Sequence, residues 1–289
     1  MDLTKPGVWY FTDGMSASEA AEAAQRIESL GYSALWIPEA VGRHPFAHAA
    51  WLLANTSELV VATGIASIYH REPGATLAAQ NTLAEQSGNR FLLGLGVSHK
   101  PMVEGVRGLT YGKPVATMRS YLEKMDASPY SGPTPDPAPP RVIAALGPKM
   151  LELARDTCQG AHPYFTSPDH TAMARNIMGP DSWLCVEQKV ILEEDPDRAR
   201  ELGRQTAQLY LALPNYQNNW LRMGLERADL ENGGSDRFID ATFAWGDAES
   251  IRARIQAHYD AGASHVCIQP VHPDGALGPL HWEALEALA

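Results

Sequence analysis

The sequence has little of what marks secreted, metal-stapled, membrane-spanning or nucleic-acid-binding proteins. Only three of its 289 residues are cysteine: Cys158, Cys185 and Cys267. Their number is odd, their spacings are wide and no CxxC pair exists, which argues against a disulfide framework, a zinc knuckle or a redox dithiol. A reducing cytoplasm is the simplest setting. No stretch approaches the roughly 18 apolar residues of a membrane helix, and Met1–Pro6 lacks the apolar run of a signal peptide. Basic residues are outnumbered, 23 Lys and Arg against 34 Asp and Glu, giving a formal net charge of −11. Nucleic acid and anionic membrane surfaces demand basic patches and are not expected as partners; a small molecule is. The run Gly94-Leu95-Gly96-Val97-Ser98-His99 starts like a dinucleotide fingerprint, but histidine stands where the third glycine is needed, so a classical nicotinamide fold is rejected.

What the chain does contain is a weak internal repeat. In IESLGYSALWI (27–37), LAEQSGNRFLLGL (83–95), LARDTCQGAHPYF (153–165) and HYDAGASHVCIQ (258–269), a helix-like segment meets a glycine and an apolar strand follows. The glycine is read as the left-handed helix cap, and the unbroken apolar strand suits a parallel sheet buried on both faces. Helix starts agree: Ser16 with Glu19 forms a capping box, Ser167-Pro168 and Asp195-Pro196 pair a cap with proline at the first helical position, and Asp247 precedes the stripe Ile251, Ile255, Tyr259. Eight strands are expected, at 7–10, 34–37, 60–65, 91–94, 141–145, 160–163, 184–191 and 265–269. With a helix after each, they predict one (β/α)8 TIM barrel spanning 1–289 rather than a doubly wound sheet. Two segments break the rhythm: a proline-rich loop over 128–140, and an insertion over 214–236 that is expected to act as a lid.

The working face of such a barrel is the carboxyl end of its strands. That places Glu39, Arg43 and His44 after strand two, and Ser67, Tyr69, His70 and Arg71 after strand three. Gly96, Val97, Ser98 and His99 follow strand four, Leu146, Gly147, Pro148 and Lys149 follow strand five, and His162 and Tyr164 follow strand six. Gly147-Pro148-Lys149 opens a helix, which reads either as a phosphate site at free N–H groups or as an ordinary turn. The two glycines of GLG serve either close packing or the approach of a flat ring. His44, His70 and His99 are structural groups or members of a site. Metal ligation is not expected, because GVWYFTD lacks the HxH pair of barrel metallohydrolases. A retaining glycosidase fails because strand four ends in Ser98-His99 instead of a carboxylate. An apolar lining from Trp9, Trp36, Phe46, Tyr69 and Phe243 competes with a plain core role for those rings.

The segments GYSALWIPEAVGRHPF, VVATGIASIYHREP, GNRFLLGLGVSHKPMVEG, AALGPKMLELA and WGDAESIRARIQAHYDAGASHVCIQP resemble the bacterial luciferase-like monooxygenase superfamily. Within it they are most similar to actinobacterial oxidoreductases assigned to coenzyme F420, a deazaflavin. The resemblance implies a TIM barrel with an insertion and a non-prolyl cis peptide in a bulge on strand three, here Gly64-Ile65. It implies a cofactor held by Glu39, Gly64, Ile65, Ala66, Gly96, Val97, Ser98 and His162, with Leu146, Gly147 and Pro148 at its phosphate. Hydride would pass between F420 and a small organic substrate, with His99, or failing that Glu39, moving the proton. Sugar-phosphate dehydrogenases of the superfamily carry glutamate at the position of His99 and histidine at that of Ala40, which puts a sugar phosphate in doubt. An FMN-dependent monooxygenase and a non-catalytic flavin- or deazaflavin-binding protein are the alternatives, and a homodimer is left open.

Overall fold

The computed structural model describes residues 1–275 and 278–289. Eight parallel strands close on themselves: β1 (Gly7–Trp9), β2 (Ala34–Ile37), β3 (Val60–Thr63), β5 (Phe91–Gly96), β6 (Arg141–Ile143), β7 (Gly160–Ala161), β8 (Trp183–Leu192) and β10 (His265–Pro270). Closure comes from β10, which pairs with β1 on one edge and β8 on the other. Helices wrap the outside, α1 (Ala17–Ser29), α2 (Pro45–Ala54), α3 (Pro73–Ser87), α4 (Pro114–Asp126), α5 (Pro148–Thr157), α6 (Pro168–Met178), α7 (Pro196–Leu211) and α10 (Ala248–Asp260) among them. The expected TIM barrel is therefore the fold.

Among the described residues, two strands lie outside the expected eight. The stretch 60–65 is not continuous: β3 ends at Thr63, the chain bulges at Gly64–Ile65, whose peptide bond is cis, and β4 (Ala66–Ser67) resumes against Leu95 and Gly96. The second is β9 (Phe243–Gly246), which pairs with Lys189–Leu192 of β8. Lys189 and Val190 are also paired with β10, so β8 outruns its neighbours and carries β9 beyond the barrel proper.

The capping signals hold in detail. Ser16 and Glu19 cap reciprocally, and Ser167, Asp195 and Asp247 accept the first N–H groups of α6, α7 and α10. Gly31, Gly88 and Gly262 take positive φ after α1, α3 and α10. Gly160 does not behave as the repeat suggested. It belongs to β7, and a Cβ there would lie 1.9 Å from the Trp183 carbonyl oxygen. Its glycine is required by strand approach, not by a left-handed cap.

Alternation along each strand sends one set of side chains to the helices and the other into the barrel. The interior set is Trp9, Ala34, Trp36, Val60, Ala62, Leu92, Val142, Cys185 and Cys267, mostly small residues around two indoles. Trp36 is the middle of a column. Its Nε1 donates to His265 Nε2 at 3.0 Å on the side of the strand amino ends, and its ring stacks on His162 at 4.3 Å towards the carboxyl ends. A separate aromatic cluster sits above the β8 edge, where Phe165, Tyr216, Trp220, Phe238 and Phe243 join α7, α8 (Pro214–Arg222) and α9 (Asp236–Thr242) to the barrel.

Candidate active site

Of the residues that the family resemblance implies as cofactor-holding or catalytic, all except Ala66 line one cavity of about 750 Å³ at the carboxyl ends of the strands, a volume suited to a cofactor with a small partner. Ala66 lies behind the wall, fully buried in β4.

One wall is nearly stripped of side chains. A Cβ on Gly64 would meet Trp9 Nε1 at 2.7 Å and His162 Nε2 at 3.1 Å, and one on Gly96 would meet the Ile65 side chain at 2.5 Å. Trp9 Nε1 donates to the Gly64 carbonyl oxygen at 2.9 Å, fixing the bulge from below. Beside it Ser98 holds φ of 53°, a left-handed conformation that costs a non-glycine residue about 1 kcal/mol or more. Its carbonyl oxygen accepts from Tyr111 Oη at 3.3 Å. Farther along, Gly147 starts α5 with no side chain capping the first turn, so that end of the helix is open to an anion. Lys149 follows, and Arg222 reaches in from α8, its Nη2 3.7 Å from the Cβ position of Gly147.

The three strand-end histidines separate. His44 caps α2, accepting from the Ala47 N–H at 3.3 Å. His70 Nδ1 lies 3.0 Å from Glu39 Oε1. Only His99 reaches the cavity, where its ring lies 5.6 Å from that of Tyr216. Burial lowers its pKa, against a smaller opposite effect of the Asn215 side chain, so the imidazole is neutral at neutral pH.

Glu39 is in the wall but fully engaged. Its carboxylate accepts from the Ser67 N–H at 2.7 Å, from Arg71 Nη1 at 3.0 Å and also from Arg71 Nη2. Burial would raise its pKa, but the bonds from Arg71 and His70, the Arg71 charge and the Ser67 N–H outweigh it, and the net shift is downward. A carboxylate held this way stays ionised and ties the loop after β2 to the loop after β4.

His162 differs in kind. Its Nδ1 lies 2.8 Å from the Cys185 carbonyl oxygen, which fixes the proton on Nδ1. Nε2 is then a bare acceptor, buried and without a partner, facing Gly64. Burial pushes the pKa down to about 4, so the ring stays neutral.

Of the five aromatics proposed as lining, only Trp9 reaches the cavity; Trp36, Phe46 and Phe243 are core, and Tyr69 supports the loop through its Oη, which accepts from the Gly112 N–H at 2.8 Å. The rings sequence reasoning passed over are Phe11, Tyr111, Tyr210 and Tyr216, with Tyr164 named only as a strand-end residue. The last three pack against one another as one aromatic wall. The segment 214–236, read as an insertion over the barrel end, contains α8, which sets Tyr216 and Arg222 into the cavity and buries Trp220.

A closed parallel barrel with a cavity at its strand ends, lined by backbone at Gly64, Gly96 and Gly147 and by a group of aromatic rings, defines a (β/α)8 protein. The family model described as luciferase-like monooxygenase matches residues 1–265, and the chain belongs to that family. It is 30% identical over 183 residues to a Mycobacterium tuberculosis protein provisionally named as a coenzyme F420-dependent oxidoreductase, a match spanning about half (53%) of each chain. It is 25% identical over 312 aligned positions, 91% of this chain and 93% of the relative, to the 5,10-methylenetetrahydromethanopterin reductase of Archaeoglobus fulgidus. Among solved structures, an F420-dependent secondary alcohol dehydrogenase bound to an F420–acetone adduct superposes with a TM-score of 0.75 over 100% of both chains at 16% identity, a likeness of fold.

Proposed function

We propose that this protein is an oxidoreductase that transfers hydride between coenzyme F420 and a small organic substrate. The observation that carries the reading is the pairing of the bare wall with His162. Gly64 and Gly96 line the cavity with backbone, packed so closely by Trp9, His162 and Ile65 that neither has room for a Cβ, and His162 with its unpartnered Nε2 is buried against Gly64. This backbone face fits a planar ring, and Leu146, Gly147 and Pro148 with Arg222 fit its phosphate. Relatives named for F420 support the choice of cofactor.

A deazaflavin supplies two-electron hydride chemistry when bound. The residues of this chain do the rest: Gly64–Ile65 and Gly96–Ser98 position the ring, and the aromatic wall excludes water. His99, neutral and at the cavity surface, takes or gives the substrate proton. The test is a pair of titrations of the purified protein, one with F420 and one with FMN, followed by turnover of reduced F420 against a panel of enones and imines. Tighter F420 binding with turnover supports the reading. Preference for FMN with oxygen consumption would move the protein to the monooxygenases, and binding without turnover to the non-catalytic binders.

A further inference from the structure

The aromatic wall carries polar atoms of its own. Tyr164 Oη lies 2.6 Å from Tyr210 Oη and 2.8 Å from Gln269 Oε1. Gln269 Oε1 can only accept, so the Tyr164 proton goes to it and the Tyr210 proton goes to Tyr164. Tyr210 Oη then keeps its lone pairs free beside the cavity that both tyrosines line.

The two rings are held from behind. Lys189, fully buried in β8, sets Nζ 3.8 Å from the Tyr164 ring centroid, 4.0 Å from that of Phe165 and 5.0 Å from that of Tyr210. Its charge is matched by Glu187, with Nζ 3.2 Å from each carboxylate oxygen, and Glu187 also accepts from the Phe165 N–H at 2.8 Å. A cation shared by three ring faces in a dry interior fixes their orientation. Glu187 offsets its charge, so the pair adds no net charge to the tyrosine wall. The other cationic side chains at the cavity, Lys149 and Arg222, stand at the Gly147 end. The tyrosine wall thus carries no net charge, and its polar groups are the tyrosine hydroxyls with the Asn215 and Asn218 amides.

We propose that Tyr210 and Tyr164 form the substrate-oxygen site, and that the substrate is a neutral, mainly apolar molecule bearing a hydroxyl or carbonyl oxygen. This rests on the cofactor reading in one respect only, that the glycine wall is left to the deazaflavin. Tyr164 is placed beside that wall, since its ring lies 5.0 Å from Trp9, whose Nε1 holds the Gly64 carbonyl. In the resting arrangement Tyr210 accepts from a hydroxyl. Turning both phenol protons outward lets it donate to a carbonyl instead. One pair can therefore hold either member of an alcohol–ketone couple, while a carboxylate or phosphate finds no matching charge.

The test uses the full chain and four probes, cyclohexanol, cyclohexanone, methylcyclohexane and cyclohexanecarboxylate, followed by ligand-observed NMR. Cyclohexanol and cyclohexanone should compete for one site and bind more tightly than the carboxylate. Tyr210→Phe should weaken both oxygen-bearing probes by about three- to tenfold, the worth of one net hydrogen bond, and leave methylcyclohexane unchanged or slightly tighter. F420 affinity should not change in that variant. Tyr164→Phe, which leaves Tyr210 without its acceptor, should shift preference from cyclohexanol towards cyclohexanone. The proposal is overturned if cyclohexanol does not bind, if the carboxylate binds more tightly, or if neither tyrosine variant alters the oxygen-bearing probes. Failure of the parent to bind F420 would sink the cofactor reading and leave these arms readable by themselves.

Discussion

His162 and Gly64 face each other so closely that a methyl group on Gly64 would lie 3.1 Å from His162 Nε2. The same methyl would press on Trp9 Nε1 at 2.7 Å, and both rings are locked, one by the Cys185 carbonyl and one by the Gly64 carbonyl. Gly64→Ala therefore has no easy relief. Overpacking of this kind costs about 1–3 kcal/mol. We expect a lowered thermal midpoint together with at least tenfold weaker F420 binding, read by melting and fluorescence titration. Unchanged values for both would show the recess to be soft.

At the far end of the cavity, Gly147→Asp should weaken cofactor binding about tenfold without harming the fold. The new carboxylate would sit within reach of Arg222, consuming the cation and adding like charge where a phosphate is expected, worth at least about 1 kcal/mol. Arg222→Gln should give a smaller loss that shrinks further as salt is raised, since Arg222 is exposed. Titration at two ionic strengths checks both.

His99 and Glu39 can be separated by what each variant damages. His99→Ala should slow the hydride step by about 10²–10⁴ at saturating cofactor if it moves the proton, with F420 affinity nearly intact. Single-turnover kinetics decides, and a rate close to the parent's removes His99 from that role. Glu39→Gln should act mainly on stability, costing about 3–5 kcal/mol because Arg71, itself largely buried, loses its counter-ion. Glu39 sits below its ordinary pKa of 4.5, so its contribution is present above that value and is lost as pH falls further.

Buried histidines predict acid lability over a defined window. His48, His162, His170 and His265 are pushed down by burial to about 4, and His258 to about 3, from an ordinary 6.5. Below pH 6.5 the unfolded chain takes up protons that the folded chain refuses, so stability is full above 6.5 and falls as pH drops towards 4. Each such group steepens the loss by about 1.4 kcal/mol per pH unit within its window. Denaturant midpoints measured from pH 7.5 to 4.5 should fall steadily below 6.5. A flat profile would mean that these rings gain protons without unfolding.

The barrel was legible because the cues that specify it are local. Ser16 with Glu19, Ser167 with Pro168, and the glycines after α1, α3 and α10 each mark an element boundary within a few residues. The bare wall was legible for a related reason: its residues lie at strand ends, and strand ends can be counted. Gly160 misled because one residue type answers two different demands, a left-handed cap and strand crowding, and only the neighbouring Trp183 carbonyl distinguishes them. The strand β9 was missed because Phe243–Gly246 pairs only with the overhang of β8, and an overhang has no sequence period. The tyrosine wall was hidden more deeply. Tyr164, Tyr210 and Gln269 are spread over three elements, and no spacing along the chain announces that their oxygens meet. The polar run Glu187-Gln188-Lys189 inside an otherwise apolar strand, β8, was an available signal, since a buried cation needs partners.

The two walls of the cavity have different histories along the chain. The glycine wall comes from turns that the barrel must make anyway, after β3, β5 and β6, whereas most of the aromatic wall comes from one continuous run, the end of α7 and α8, between β8 and β9. That run rests on its own aromatic cluster rather than on the barrel interior. Mutations in it can accumulate without disturbing the glycine wall, provided that Arg222, which α8 sends to the Gly147 end, is kept. A protein divided in this way can drift from one substrate to another while inheriting its cofactor unchanged.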